Sequence, residues 1–227
     1  MISPLLSNIF LHEVDKSWCQ SNGKPARNVR LIRFADDMVL LARTETEAVK
    51  TWERLQAEFG ALKLKINQEK SKVTGVENGF RFLGFEFLKK QGRMLYMRPC
   101  DKAKKNIVKQ VREVTRSFKR SERLDMVIKT LNPVLIGWCT YFRVGNSSRV
   151  FHWVDWCVRN ELQLWMRYKH QCSWYRAKAR WNYRFLHEKC RLYRLVGKVS
   201  HLEGLRRTLP EECGRRAGYG KTVCPVR

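Results

Sequence analysis

The 227-residue chain carries 46 Lys and Arg against 21 Asp and Glu, a formal net charge of +25, and 44% of it is hydrophobic. That apolar content suffices for a buried core in one or two domains, and the charge implies a polyanionic partner, nucleic acid before a membrane surface. No apolar run approaches the roughly 18 residues of a membrane span and no signal-peptide pattern opens the sequence, so a cytoplasmic protein with no membrane partner is expected.

Ser3 and Pro4 suit a helix's first turn, and Leu5, Leu6, Ile9, Phe10 and Val14 follow at helical spacing. After a loop at 20–25, Val29 to Ala42 reads as two short apolar strands joined by a tight acidic turn, with Asp36 and Asp37 at its tip. Adjacent carboxylates in so basic a chain suit a divalent metal such as Mg²⁺. An ordinary Asp-rich turn is the local alternative, and the dipeptide alone favours it. Thr44 to Phe59 reads as an amphipathic helix with Thr44 as cap, Glu45 and Glu47 in the first turn, and Ala48, Trp52, Leu55 and Phe59 on one face.

The pattern then changes to short strand-like segments: Leu62 to Ile66, Lys72 to Val76, Phe80 to Phe87 and Met94 to Met97. They suggest a small, largely antiparallel sheet. Arg98 and Pro99 mark a boundary, beyond which the chain reads as almost wholly helical. Asp101 to Phe118 places Ala103, Ile107, Val111, Val114 and Phe118 on one face and Lys102, Lys104, Lys105, Lys109, Arg112 and Arg116 elsewhere. Leu124 to about Val144 contains Pro133, where a kink or break is expected. In a third helix, Ser148 to Tyr168, the inward residues are Val150, Phe151, Val154, Val158, Leu162 and Trp165.

Beyond His170, aromatic and basic residues alternate: Trp174, Tyr175, Arg176, Lys178, Arg180, Trp181, Tyr183, Arg184. Such interleaving suits base stacking beside phosphate contacts, and it equally suits an amphipathic helix with a wet basic side. The stretch from about Gly197 to Arg227 lacks periodicity and is expected to be poorly ordered. The fold class is therefore α+β followed by an all-α bundle. Basic charge concentrates in the second part: residues 1–98 hold 17 basic and 11 acidic side chains, a net of +6, and residues 99–227 hold 29 and 10, a net of +19. The eight cysteines show no C-x-x-C pair, which argues against zinc, and they read as reduced thiols.

Four blocks, Ile2 to Leu11, Phe34 to Asp37, Leu64 to Lys72 and Phe82 to Phe85, resemble in order successive blocks of the reverse transcriptase palm. A fifth, Leu131 to Phe142, resembles the thumb or maturase domain of group II intron-encoded reverse transcriptases. The resemblance implies a partial palm over 1–98, a helical thumb/maturase domain over 99–170, and a basic aromatic helix with a tail over 171–227. It implies RNA-directed DNA polymerase chemistry, with Asp36 and Asp37 as Mg²⁺ ligands and Lys70 as proton donor to the departing pyrophosphate. Phe34, Ala35, Leu83 and Gly84 would contact primer and template. RNA would be gripped by Lys102, Lys104, Lys105, Lys109, Arg112, Arg116, Arg176, Lys178, Arg180 and Arg184. Phe34 stands where the family more often has Tyr, which removes a hydroxyl and leaves the ring.

The implied partners are group II intron RNA and, for the full-length parent, a DNA primer or target and deoxynucleoside triphosphates. The family's fingers and first palm carboxylate have no counterpart ahead of Ser3, since Glu13 and Asp15 do not match that block. A truncated form that binds intron RNA without independent polymerase activity is therefore expected, with a complementing polypeptide as one further partner. A non-catalytic RNA-binding splicing factor and a non-functional relic of a mobile element are the alternatives.

Overall fold

A computed structural model describes residues 3–19, 29–68, 71–89, 95–200 and 222–226. The chain divides into two compact units, Met1–Tyr96 with Thr208–Arg227, and Met97–Arg207. Helices and small antiparallel sheets share the first unit, and helices dominate the second, as an α+β reading requires. Lys70 and the loop at 20–25 lie outside the described residues.

The first unit is organised around a hairpin. Strand β1 (Val29–Phe34) pairs antiparallel with β2 (Asp37–Ala42), and the register Phe34 to Asp37 leaves a two-residue turn of Ala35 and Asp36. Met38 and Leu40 of β2 point into a core with Leu11, Val14, Leu55 and Phe59. Val39, on the opposite face, packs with Val76 and half-buried Phe80, Phe82 and Leu95. This strand therefore joins two apolar layers, which explains its nearly continuous hydrophobic run.

Helix α1 (Ser3–Cys19) and helix α2 (Glu45–Ala61) supply the first layer. The α2 terminus is a capping box: Thr44 Oγ1 accepts from Glu47 N while the Glu47 carboxylate accepts from Thr44 N. The expected apolar stripe of α1 is rotated. Its core face is Leu11 and Val14 with Trp18, whereas Leu5, Leu6, Ile9 and Phe10 are exposed. The rotation follows from polar anchors: Trp18 Nε1 and Ser17 Oγ both donate to Glu58 Oε2 of α2, at 2.7 and 2.9 Å. Others lie nearer the helix start, at Ser7 and Asn8.

Leu62 to Ile66 is not a strand. The alternation holds, with 62, 64 and 66 inward and 63 and 65 outward, but the segment hangs from the C-terminus of α2. Leu64 N donates to Phe59 O at 2.9 Å, and Lys63 sits at φ +58. Side-chain periodicity reported burial there, not pairing. The remaining strands form two sheets, not one. Strand β3 (Thr74–Gly75) belongs with β1 and β2, while β4 (Phe80–Phe82), β5 (Phe85–Lys89) and β6 (Leu95–Pro99) form a separate three-stranded sheet. Leu83 and Gly84, at φ +49 and +76, make the turn between β4 and β5, and left-handed backbone at both positions is what a type I′ hairpin requires.

The expectation of a poorly ordered terminal stretch fails at its far end. Strand β7 (Thr222–Val226) lies between β2 and β3, antiparallel to both. Ladder hydrogen bonds supply its order, and a composition rich in Gly and Arg does not report them. Residues 201–221 lie outside the described residues.

In the second unit, helices α3 (Asp101–Ser117), α4 (Leu124–Phe142) and α5 (Ser148–His170) surround a core that includes Ile107, Val111, Leu131, Leu135, Phe151, Val154, Val158 and Leu162. All six residues expected inward on α5 are buried. Pro133 does not break α4, which runs continuously past it. Val127, Ile128, Leu131, Leu135 and Cys139 bury one face along its length, and that packing outweighs one missing backbone donor. The α4–α5 turn is locked by Gly145 and Asn146: Asn146 N donates to Met97 O at 2.7 Å and Met97 N donates to Asn146 Oδ1 at 3.2 Å.

After α6 (Trp174–Arg180) the chain is strapped back by side chains bonded to backbone. Asp155 accepts from Leu195 N and Val196 N, Asn132 bonds Arg191 O and Tyr193 N, and Gln163 donates to Trp181 O. No described helix is long and apolar enough to cross a membrane.

Candidate functional site

The β1–β2 turn presents Asp36 exposed at its tip and Asp37, half-buried, as the first residue of β2. Ala35 adopts φ +51, a conformation costly without glycine and held here by its neighbours. Those neighbours come from α1. Ser7 Oγ donates to Asp36 Oδ1 at 3.0 Å, which fixes one carboxylate. Arg33 runs beneath the turn: its Nη1 donates to Asn8 Oδ1 at 2.9 Å and to Ala35 O at 3.2 Å, while Nε and Nη2 grip the Asp15 carboxylate. The hydrogen bonds to Asp15 hold the Arg33 guanidinium still further above its usual range, with the Asp36 charge adding to the effect.

These partners were not legible from spacing alone. Ser7, Asn8 and Asp15 share a helical face, but nothing in the sequence says that Arg33 reaches it. Phe34, 64% exposed, flanks the turn, and Ile32 is exposed with it. Beside the carboxylate, a groove of about 810 Å³ is lined by Leu6, Ile9, Phe10, Phe59, Leu64 and Ile66, with Ser7, Asp36, Lys65 and Asn67 as polar members. Leu83 and Gly84 occupy the turn of the other sheet and are not among the groove's lining residues.

The donor set at the turn is hard oxygen, the chemistry that suits Mg²⁺. Among the described residues no group of three or more His, Cys, Asp or Glu comes together. Of the two earlier acidic residues, Asp15 is taken by Arg33 and Glu13 pairs with Lys16 at 2.9 Å.

In the second unit the predicted basic residues of α3 fall mostly on one stripe. Lys105, Lys109, Arg112 and Arg116 line a groove of about 510 Å³ together with Val108, Glu113 and Trp153. Lys102 is exposed one turn earlier, and half-buried Lys104 pairs with Asp101. Arg176, Lys178, Arg180 and Arg184 are all exposed. The aromatics interleaved with them divide: Trp181 is 3% exposed and stacks on His170 at 5.0 Å, whereas Tyr175 is 84% exposed. Lys178 stands over Trp174 at 4.9 Å.

Two family models match. The reverse transcriptase (RNA-dependent DNA polymerase) model covers residues 1–87, and the group II intron maturase-specific domain model covers residues 104–184. Together the two matches support assignment to the group II intron reverse transcriptases/maturases. It is similar to Protein YkfC of Escherichia coli (strain K12), with 34% identity over an alignment that covers 43% of this chain and 33% of that protein. The chain thus spans about a third of the length of that curated relative.

Proposed function

We propose that the first unit is the part of a reverse transcriptase palm that carries the acidic turn, and that the second unit is the thumb/maturase region that binds group II intron RNA. The observation that carries this reading is the succession of the two family matches along one chain. The acidic β1–β2 turn and the basic stripe on α3 fall one within each match. In this reading residues 1–98 are palm, 99–170 thumb/maturase, and 171–227 follow.

Asp36 and Asp37 would hold Mg²⁺ in the manner usual for that ion, through one or two carboxylates with water and substrate phosphates. Bound there, Mg²⁺ supplies Lewis-acid chemistry for phosphoryl transfer. Ser7 orients Asp36, and Arg33 fixes the turn so that the carboxylate keeps its position. Phe34 offers an exposed ring, and with Ala35 it contacts primer or template, as do Leu83 and Gly84 from their own turn. Lys70 keeps its role as proton donor. Primer DNA and deoxynucleoside triphosphates are substrates of the whole protein, and intron RNA is the partner of the basic stripe.

The test is binding of a structured group II intron RNA by the full chain across salt concentrations. Affinity should fall by roughly 0.7 to 0.9 log units per log unit of salt for each phosphate engaged. Changing Lys105, Lys109, Arg112 and Arg116 together to Gln should flatten that slope. A flat response in the unmodified protein refutes the reading. An RNA-binding splicing factor without polymerisation is favoured by one observation, that no third carboxylate joins the acidic pair among the described residues. Asp36→Ala in the whole protein separates the two: it abolishes primer extension in the first reading and changes nothing in the second.

A further inference from the structure

The α3 groove contains a residue that charge patterning does not explain. Trp153 of α5 lines it beside Lys105, Lys109, Arg112 and Arg116 and is 42% exposed; Trp156, one turn on, is 53% exposed. Indole rings are large apolar surfaces that normally seek burial. Every core position of α5 is already filled, by Phe151, Val154, Val158 and Leu162, so these two rings belong to the outer face.

We infer that this groove is a binding site for an unpaired RNA strand, in which bases stack on Trp153 while the α3 cations hold the phosphates. The inference rests on the RNA-binding reading above and names the form of RNA taken. Three features carry it. The first is charge complementarity: the cations at 105, 109, 112 and 116 recur at helical spacing along one stripe, a span of about 16 Å at 1.5 Å per residue, long enough for several successive phosphates.

The second is that these cations are held only loosely by protein. Arg112 meets Glu161 at 3.4 Å and Lys109 meets Glu113 at 3.6 Å, both with cationic side chains more than half exposed. The Lys109–Glu113 pair is exposed on both sides and contributes about 0 to 1 kcal/mol, so an incoming phosphate can replace that carboxylate. The third is the ring itself. A duplex has its bases stacked on one another and offers a protein its backbone and groove edges, whereas an unpaired strand offers base faces to an aromatic side chain. An exposed indole beside a row of cations at helical spacing distinguishes the two forms.

The test uses the full chain and an unpaired RNA of about 12 nucleotides, within the usual range of single-strand site sizes, against the same sequence in a duplex, with fluorescence anisotropy as readout. Trp153→Ala should weaken binding of the unpaired strand about 10- to 100-fold and leave duplex binding unchanged. Trp153→Phe should recover most of the loss, and a melting curve for each variant shows that the fold is kept. Lys109→Gln should reduce the salt slope for both RNAs. Unchanged single-strand affinity in Trp153→Ala, or equal weakening for both RNAs, overturns the inference while the RNA-binding reading stands. Failure of the unmodified chain to bind either RNA overturns that reading itself.

Discussion

Gly145→Ala tests how the second unit is held together. Gly145 sits at φ +85 in the α4–α5 turn, and a Cβ built there would lie 2.6 Å from Met97 O, 3.0 Å from Met97 Cε and 3.2 Å from Met97 Cβ. The left-handed conformation costs an alanine about 1 to 2 kcal/mol. Relief of the backbone clash by displacement adds about 1 to 3 kcal/mol. That displacement stretches the two bonds between Asn146 and Met97, worth about 0.5 to 1.5 kcal/mol each. The terms overlap, since moving the turn relieves the clash and weakens the bonds together, so a loss of about 3 to 5 kcal/mol is expected. Gly197 and Gly60 provide internal controls. Gly197 has the same φ with nothing within 4 Å of an added Cβ, so Gly197→Ala should cost about 1 to 2 kcal/mol. Gly60 lies open near the end of α2, where Ala should stabilise by up to about 1 kcal/mol. Urea unfolding followed by far-UV circular dichroism, with the transition of each unit fitted separately, measures all three. A loss below about 1 kcal/mol in Gly145→Ala would refute the clash argument, and equal losses at 145 and 197 would show that only φ matters.

Two further outcomes follow from charged groups held by hydrogen bonds. Arg33→Gln removes the guanidinium that joins Asp15, Asn8 and Ala35 O, and should lower the stability of the first unit by about 1 to 3 kcal/mol; an unchanged thermal midpoint would mean that the turn holds itself. Asp155 is buried, and desolvation raises its carboxyl pKa against the pull of the Leu195 and Val196 N–H groups. The folded chain then binds a proton that the unfolded chain has released, so this group's contribution to stability falls as pH rises through the window above the ordinary aspartate value of about 4. Asp155→Asn should flatten stability against pH across that window, and an unaltered slope in thermal melts would sink the assignment.

What the sequence disclosed depended on the range of the interaction behind each feature. The α2 capping box joins residues three apart, and the inward set of α5 repeats within one helix, so both were readable from spacing. The orientation of α1 was not, because it is set by Arg33, Asp36 and Glu58 on other elements. Leu62 to Ile66 carried the alternation of a strand with no ladder to join. Pro133 left a kink or a break equally open, and the buried face of α4 decides against the break. At the site, the acidic turn stood out by composition, while Ser7 and Arg33 needed the fold to bring them near. Trp153 escaped because a tryptophan among core-spaced aromatics looks like core until its neighbours are seen to fill the interior.

Strand β7 bears on how the chain comes to be folded. Thr222 pairs with Ala42 and Val226 with Met38, so the sheet that carries the acidic turn is completed by residues translated long after the hairpin. During synthesis β1 and β2 emerge early, and the inner edge of β2 stays open while the whole helical unit is made. Long-range pairing of this kind is slow, and an open apolar edge invites association with other chains. The helical unit, built from contacts between neighbouring helices, has no such wait. The ribosome should therefore carry a folded helical unit while the sheet is still unfinished, and the order in which the two mature is written into the chain's connectivity.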